Sequence, residues 1–226
     1  MLIAPLQKGI VYIAIGKQYF DDAIASAISI AENHKILPNI CIYTDSDPIE
    51  SNFFIVKKIP EDLFSALPPD ILAAYLKTKL YQLSPFRKTL FLDTDIRCIA
   101  NIDCIWSYCN GSIAASRAFN PITEYDCYYQ GSEEAYTQHL LSVNGDFTQY
   151  NTGVFIFDKC PQVEQAFIDW NTEWELFKRH ENMAFNRLAS RGLDVDYLLS
   201  IYNDFYPNRN YQSVLVHYIS HYKDYL

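Results

Sequence analysis

Asp93 and Asp95 stand one residue apart at the end of the apolar run Leu90-Phe91-Leu92. A short apolar run bounded by polar residues reads as a buried strand. A strand buried on both faces cannot carry two acids along its middle, because unpaired buried carboxylates are very costly. The acids must therefore lie where the strand ends, at the rim of a sheet, which is where open α/β sheets bind ligands. Two hard oxygen ligands this close suit a divalent cation carrying phosphates, such as Mg²⁺ or Mn²⁺.

The elements that would position these acids follow in order along the chain. Ile10–Ile15 reads as a first strand, closed by Gly16. A helix capped by Asp21 or Asp22 keeps Ile24, Ala27, Ile28 and Ala31 at helical spacing. Ile40–Thr44 and Phe53–Val56 read as the next two strands, so the opening has the pattern of a Rossmann-like nucleotide-binding half. From Pro69-Asp70 to Ser84-Pro85 a helix carries the stripe Leu72, Tyr75, Leu76, Leu80 and Leu83, with Lys77 and Lys79 off it. After the acids come a short helix over Ile102–Tyr108 and a strand over Ser112–Ala115. From Phe119 to Tyr150 the periodicity fades, and a loop that shapes an acceptor pocket is expected. Asn151-Thr152-Gly153 reads as a polar turn before a strand running to Phe157. Helices follow from Pro161 (Val163, Phe167, Trp170, Trp174 and Phe177 inside) and from Glu181, and a last strand, Val214–Val216, ends in His217. No internal repeat, low-complexity tract or linker is visible, so one α/β domain over 1–226 is expected.

Composition narrows the partners. A net charge of −9 over 226 residues argues against nucleic acid or an anionic membrane as the main partner, since both call for a basic face. A nucleotide remains open to such a chain where a metal and a few lysines supply local positive charge. The cysteines, Cys41, Cys98, Cys104, Cys109, Cys127 and Cys160, show neither CxxC pairs nor zinc-finger spacing. They read as reduced thiols of a cytoplasm-like compartment. The start has no basic region followed by a long apolar stretch, so no signal peptide is expected, and no segment has the roughly 18 to 20 apolar residues of a transmembrane span. The 18 tyrosines and 14 phenylalanines read as packing residues first and sugar-stacking platforms second.

Four stretches together resemble glycosyltransferases of the GT-A fold, most closely family 8, which includes glycogenin and bacterial lipopolysaccharide galactosyltransferases. Phe91-Leu-Asp-Thr-Asp95 with Ile99-Ala-Asn-Ile-Asp103 resembles the family's Asp-x-Asp segment and its trailing Asn-Ile-Asp. Lys77 falls at the basic position one helix upstream, and Asn151-Thr-Gly-Val154 resembles Asn-Ser-Gly-Val. His217, Ser220 and Lys223 keep the spacing of the family's His-x-x-Gly-x-x-Lys. The chain departs from the pattern at Glu181-Asn182, where the family has Asp-Gln, at Ser220, where it has Gly, and at Asp224-Tyr225, where it has Pro-Trp.

The resemblance implies a GT-A type, Rossmann-like mixed sheet flanked by helices. It also implies transfer of a hexose from a nucleoside diphosphate sugar, UDP-glucose or UDP-galactose, to an acceptor hydroxyl with retention. Asp93, Asp95 and His217 would hold Mn²⁺ or Mg²⁺, the imidazole favouring Mn²⁺. Lys77 and Lys223 would be point charges on the diphosphate, with Thr94 beside it. Ala14, Ile15 and Gly16 would present backbone groups to the nucleobase and Tyr19 would stack on it. Asn151, Thr152 and Glu181 would line the sugar site, with Glu181 and Asn182 near the reacting face. No residue stands out as a covalent nucleophile, so catalysis falls to charge neutralisation and positioning.

Taken singly, these residues keep ordinary readings. His217 reads as a satisfied structural histidine, the two lysines as surface charges, and Tyr19 as packing the first helix. Asn151 and Thr152 read as turn residues, and Glu181 as an acid favoured by the start of a helix. Three rival functions share part of the pattern. A haloacid-dehalogenase-like phosphatase also ends an apolar strand in Asp-x-Asp, but there Thr or Val follows, where this chain has Ile96, and here the motif lies mid-chain. A non-catalytic nucleotide-sugar-binding protein would not need the full Asp93, Asp95 and His217 set. A nucleotidyltransferase would carry a Gly-rich loop after the first strand, where Gly16 stands alone. The acceptor, whether glycan, lipid-linked or protein, has no signature in the sequence.

Overall fold

Alternation along β1 (Leu6–Ala14) builds the centre of the structure: Ile10, Tyr12 and Ala14 enter one apolar layer, Val11 and Ile13 the other. A strand that buries both faces must lie inside a sheet. The computed structural model describes residues 6–63, 67–117, 132–144, 149–206 and 211–218. Among these, β1, β2 (Asn39–Thr44), β3 (Ile55–Lys58), β4 (Phe86–Leu92), β6 (Ile113–Arg117), β7 (Tyr150–Asp158) and β8 (Val195–Leu198) form a seven-stranded sheet. Its order is β3-β2-β1-β4-β7-β6-β8, parallel throughout except for β7, which runs antiparallel to β4 and β6. A second sheet joins β5 (Ile96–Cys98), β10 (Leu215–His217) and β9 (Asp204–Phe205) in the order β5-β10-β9.

Helices cover both faces. Phe20, Ala23, Ala27 and Ile30 of α1 (Lys17–Glu32) pack with Ile96 and Cys98 of β5 and with Ile105 and Trp106 of the 3₁₀ turn Asp103–Tyr108. On the other face lie α2 (Pro69–Thr78), α3 (Leu80–Leu83), α5 (Pro161–Glu175) and α6 (Glu181–Ser190), where Phe155, Phe167, Trp170 and Phe185 interlock as tilted and edge-on rings. At the β1–β4 contact, Gly9 has the Phe86 ring where a side chain would start: a Cβ there would lie 2.5 Å from the ring. Among the described residues no helix is long and apolar enough to cross a membrane, and Cys41, Cys98, Cys104, Cys109 and Cys160 are free thiols.

Several elements depart from the sequence-based expectation. The stretch expected as one loop from Phe119 to Tyr150 contains α4 (Ser132–Asn144). Its inward positions Glu133, Thr137 and Leu141 keep helical spacing, but two of the three are polar, so no apolar stripe marks it. Glu133 instead bonds the buried Arg187 of α6 at 3.0 Å, and Arg187 also bonds Glu173 of α5 at 3.0 Å. The helix expected through Leu83 breaks at Lys79: the Thr78 hydroxyl takes the Tyr75 carbonyl, and the Lys79 N–H turns to Leu76. The third strand lies two residues later than Phe53–Val56, because at the open sheet edge water faces Lys57 and Lys58 and the apolar run no longer marks the pairing. Asn151-Thr152-Gly153 is not a turn ahead of β7 but part of it, next to a register shift against β6 at Ala115/Ser116.

Candidate active site

β4 delivers the two acids. It ends at Leu92, and Asp93, whose N–H bonds the Gly153 carbonyl at 2.8 Å, opens a tight turn into β5. β10 pairs with β5 so that His217 lies opposite Ile96, and the Tyr218 N–H closes on the Asp95 carbonyl at 3.0 Å. A histidine 122 positions beyond Asp95 is thereby set against it, with Nε2 3.2 Å from Asp95 Oδ1. Ligand atoms of Asp93, Asp95 and His217 all lie within 4.8 Å of one another.

The floor of this cluster is Gly153. Its backbone is ordinary for a strand, so the demand is for space: a Cβ would sit 2.6 Å from His217 Cε1, 2.8 Å from Asp93 Oδ2 and 2.9 Å from Asn151 Oδ1. Two carboxylates and an imidazole converging over a glycine cradle have the donor set for a divalent cation. The other imidazole nitrogen is held as well: Asn203 Oδ1 lies 3.0 Å from Nδ1, and the Phe205 ring stacks on the imidazole at 5.0 Å.

Lys77 ties the acids to α6. It is buried, donates to Asp93 Oδ1 at 2.9 Å and to Glu181 Oε1 at 2.6 Å, and lies over the Phe91 ring. Burial works against its ammonium, but the two carboxylates outweigh it and raise its pKa. Burial would likewise push Glu181 up, yet Lys77 prevails and holds it below the ordinary range, with help from Thr152. At Asp93 burial wins, with Lys77 pulling down and Asp95 adding to the rise. Burial disfavours the His217 imidazolium, but Asp95 reverses the sign and its pKa is raised. A cation bound here would compete with protons for the same carboxylate and imidazole atoms.

The remaining expected residues fall around this centre. Asn182 Oδ1 accepts from the Thr152 N–H at 2.9 Å and from its hydroxyl at 3.0 Å, and Thr152 also reaches Glu181 at 3.3 Å. Asn151 points its oxygen at the Gly153 N–H and at Asn203. Thr94 is buried, and its carbonyl accepts from Arg97 at 2.9 Å. Ala14 and Ile15 are buried at the end of β1, and the Gly16 N–H bonds Asp45 Oδ1 at 2.8 Å. Tyr19, in the first turn of α1, is 47% exposed and outside the apolar layers, so it is not the packing residue of the alternative reading. Lys223 and Ser220 lie outside the described residues, as do Asp224 and Tyr225. Asn203 had no signal in the sequence: it follows a 3₁₀ turn, and its partners are 14 and 52 positions away.

A parallel sheet with one reversed strand, and paired acids at its rim beside that strand, is the GT-A fold of glycosyltransferases. The chain is similar to the bifunctional glycosyltransferase WbbM in its apo form, with a TM-score of 0.70, 12% identity and 98% of this chain covered. It spans only 47% of WbbM. It is also similar to the galactosyltransferase LgtC in complex with donor and acceptor sugar analogues (TM-score 0.69, 17% identity, covering 94% of this chain and 87% of LgtC). Mouse xyloside xylosyltransferase 1 gives a TM-score of 0.65 at 12% identity, covering 95% of this chain and 98% of that one. No protein-family model matches the sequence, and no curated protein matches it.

Proposed function

We propose that this chain is a metal-dependent glycosyltransferase that moves a hexose from a UDP-sugar, UDP-glucose or UDP-galactose, to an acceptor hydroxyl with retention of configuration. One observation carries the reading: Asp93, Asp95 and His217 converge within 4.8 Å over Gly153 at the rim of a GT-A sheet. These three residues would hold Mn²⁺, which when bound supplies positive charge for the diphosphate leaving group.

The chain's own residues do the rest. Lys77 fixes Asp93 toward the centre and keeps Glu181 ionised. Glu181 is engaged by Lys77 at 2.6 Å and by Thr152 at 3.3 Å, which suits a carboxylate that stabilises positive charge on the sugar better than one free to attack it. Asn182 holds Thr152 in place, and the Asn151 amide and Thr152 line the sugar side. Ala14, Ile15, Gly16 and Tyr19 receive the base, Tyr19 offering an exposed ring for stacking. Thr94 would face the diphosphate, and the family resemblance assigns Lys223 the same role. The free thiols suit a cytoplasmic setting, and the acceptor is a glycan, lipid-linked or protein hydroxyl.

Calorimetric titration of UDP, with and without Mn²⁺, into the wild type and Asp95→Ala tests this. Metal-dependent binding abolished by the substitution is expected, followed by slow hydrolysis of one member of a UDP-sugar panel. Failure to bind UDP, together with Mg²⁺-dependent phosphate release from simple esters, would overturn it in favour of a phosphatase.

A further inference from the structure

The Gly153 N–H can only donate, and it meets Asn151 Oδ1 at 2.8 Å. That identifies the oxygen of the Asn151 amide. The same oxygen lies 3.0 Å from Asn203, so the Asn203 atom facing it must be the Nδ2 donor, since two oxygens would repel. The other end of the Asn203 amide is then the oxygen, and it faces His217 Nδ1 at 3.0 Å. An oxygen there accepts only from a ring N–H. A neutral His217 therefore keeps its hydrogen on Nδ1 and turns the Nε2 lone pair toward Asp95, 3.2 Å away, and toward Asp93. Without a cation a lone pair facing carboxylates is unfavourable; with one it is the required ligand form.

We propose that Asn203 is the positioning residue of this centre, selecting the histidine tautomer that binds a divalent cation through the relay Gly153–Asn151–Asn203–His217. The inference rests on the metal-binding reading above. Three further features support it. Asn203 is only 3% exposed, so water does not compete for its amide. Phe205, paired with His217 in the β9–β10 register, stacks 19° from parallel on the ring and fixes its plane. The relay begins at the glycine that floors the cluster, so the backbone setting the room for the ligands also sets the hydrogen-bond polarity. Asn151 thereby gains a role its place near the sugar did not suggest: its oxygen is committed to the relay, and its Nδ2 group is the end left for a substrate.

The test is calorimetric titration of Mn²⁺ alone into the full chain, as wild type, Asn203→Leu, His217→Ala and the double variant, with melting temperatures alongside. Asn203→Leu should raise the Mn²⁺ Kd by about 10- to 100-fold. In the His217→Ala background the same change should alter Kd by less than about twofold, because Asn203 acts through the histidine. Asn203→Asp, which keeps an acceptor for the Nδ1 hydrogen but sets a second oxygen against Asn151 Oδ1, should weaken Mn²⁺ binding less than Asn203→Leu does. Asn203→Ser, which removes the amide but stays polar, carries the same expectation as leucine should that variant not fold. An unchanged Kd in Asn203→Leu, or an equal loss with and without His217, overturns the proposal. A wild type that does not take Mn²⁺ overturns the metal reading with it, whereas a wild type that binds while the Asn203 variants are indifferent overturns the relay alone.

Discussion

Gly153→Ala is the sharpest perturbation of the centre. The added methyl would start 2.6 Å from His217 Cε1, where carbon atoms need roughly 3.5 Å, a shortfall of about 0.9 Å. The backbone cannot easily retreat, because the Gly153 carbonyl holds the Asp93 N–H and its own N–H holds Asn151. The ring cannot easily retreat either, wedged between Phe205 and Asn203. Overpacking of this kind costs about 1–3 kcal/mol. For a chain of this length that is a fall in Tm of about 2–12 °C. Mn²⁺ affinity should fall with it, by roughly ten- to a hundredfold, since the imidazole moves off the acids. Differential scanning fluorimetry and Mn²⁺ calorimetry on the same preparation read both. Gly9→Ala is the control: its methyl would meet the Phe86 ring at 2.5 Å, away from the acids, so Tm should drop while Mn²⁺ affinity stays. Equal Mn²⁺ affinity and equal Tm for Gly153→Ala and wild type would refute the steric reasoning outright.

Arg187→Met would strand Glu133 in the interior and leave Glu173 with Arg191 alone, and should cost about 3–5 kcal/mol in urea unfolding. Replacing Glu133 by glutamine in the same variant should return part of that loss, because the stranded charge is gone. Thiol chemistry should follow burial: burial pushes Cys41 and Cys98 up to about 11 each, so both are un-ionised at pH 8. Only about one in a thousand is then thiolate. Peptide mapping after iodoacetamide should show the exposed Cys104 modified well before either, with labelling of Cys41 and Cys98 rising about tenfold per pH unit for as long as the fold survives.

What the sequence carried depended on whether apolar pattern or polar partnership set the structure. β1, β2 and β4 are built by apolar periodicity and lie within a few residues of where it places them, whereas α1 begins at Lys17, ahead of the Asp21 or Asp22 expected to cap it. The strand-end position of Asp93 and Asp95 was legible too, because the cost of burying an acid is local. α4 was illegible because ion pairs with Arg187 replace the apolar stripe, and the partner is 54 residues away. Lys77 lies off its helix's apolar stripe yet is buried, since two acids from elsewhere in the chain close over it. The residues around Asn151 look like a turn by composition, but β4 and β6 pair with the strand they begin. Asn203 depends on contacts that no spacing rule encodes.

The reversed direction of β7 has a consequence for how the centre comes into being. In a wholly parallel sheet every rim residue follows its strand, whereas here the rim is made from the end of β4, the beginning of β7 and a strand near the far end of the chain. The first acid is separated from its glycine floor by 60 positions and from its histidine by 124. Contacts so distant in sequence exist only when the chain between them is folded, so the cation site is a product of the tertiary structure and of no single segment. Cation binding would then report the integrity of the whole tertiary structure, and a bound cation would stabilise the folded state over the unfolded one.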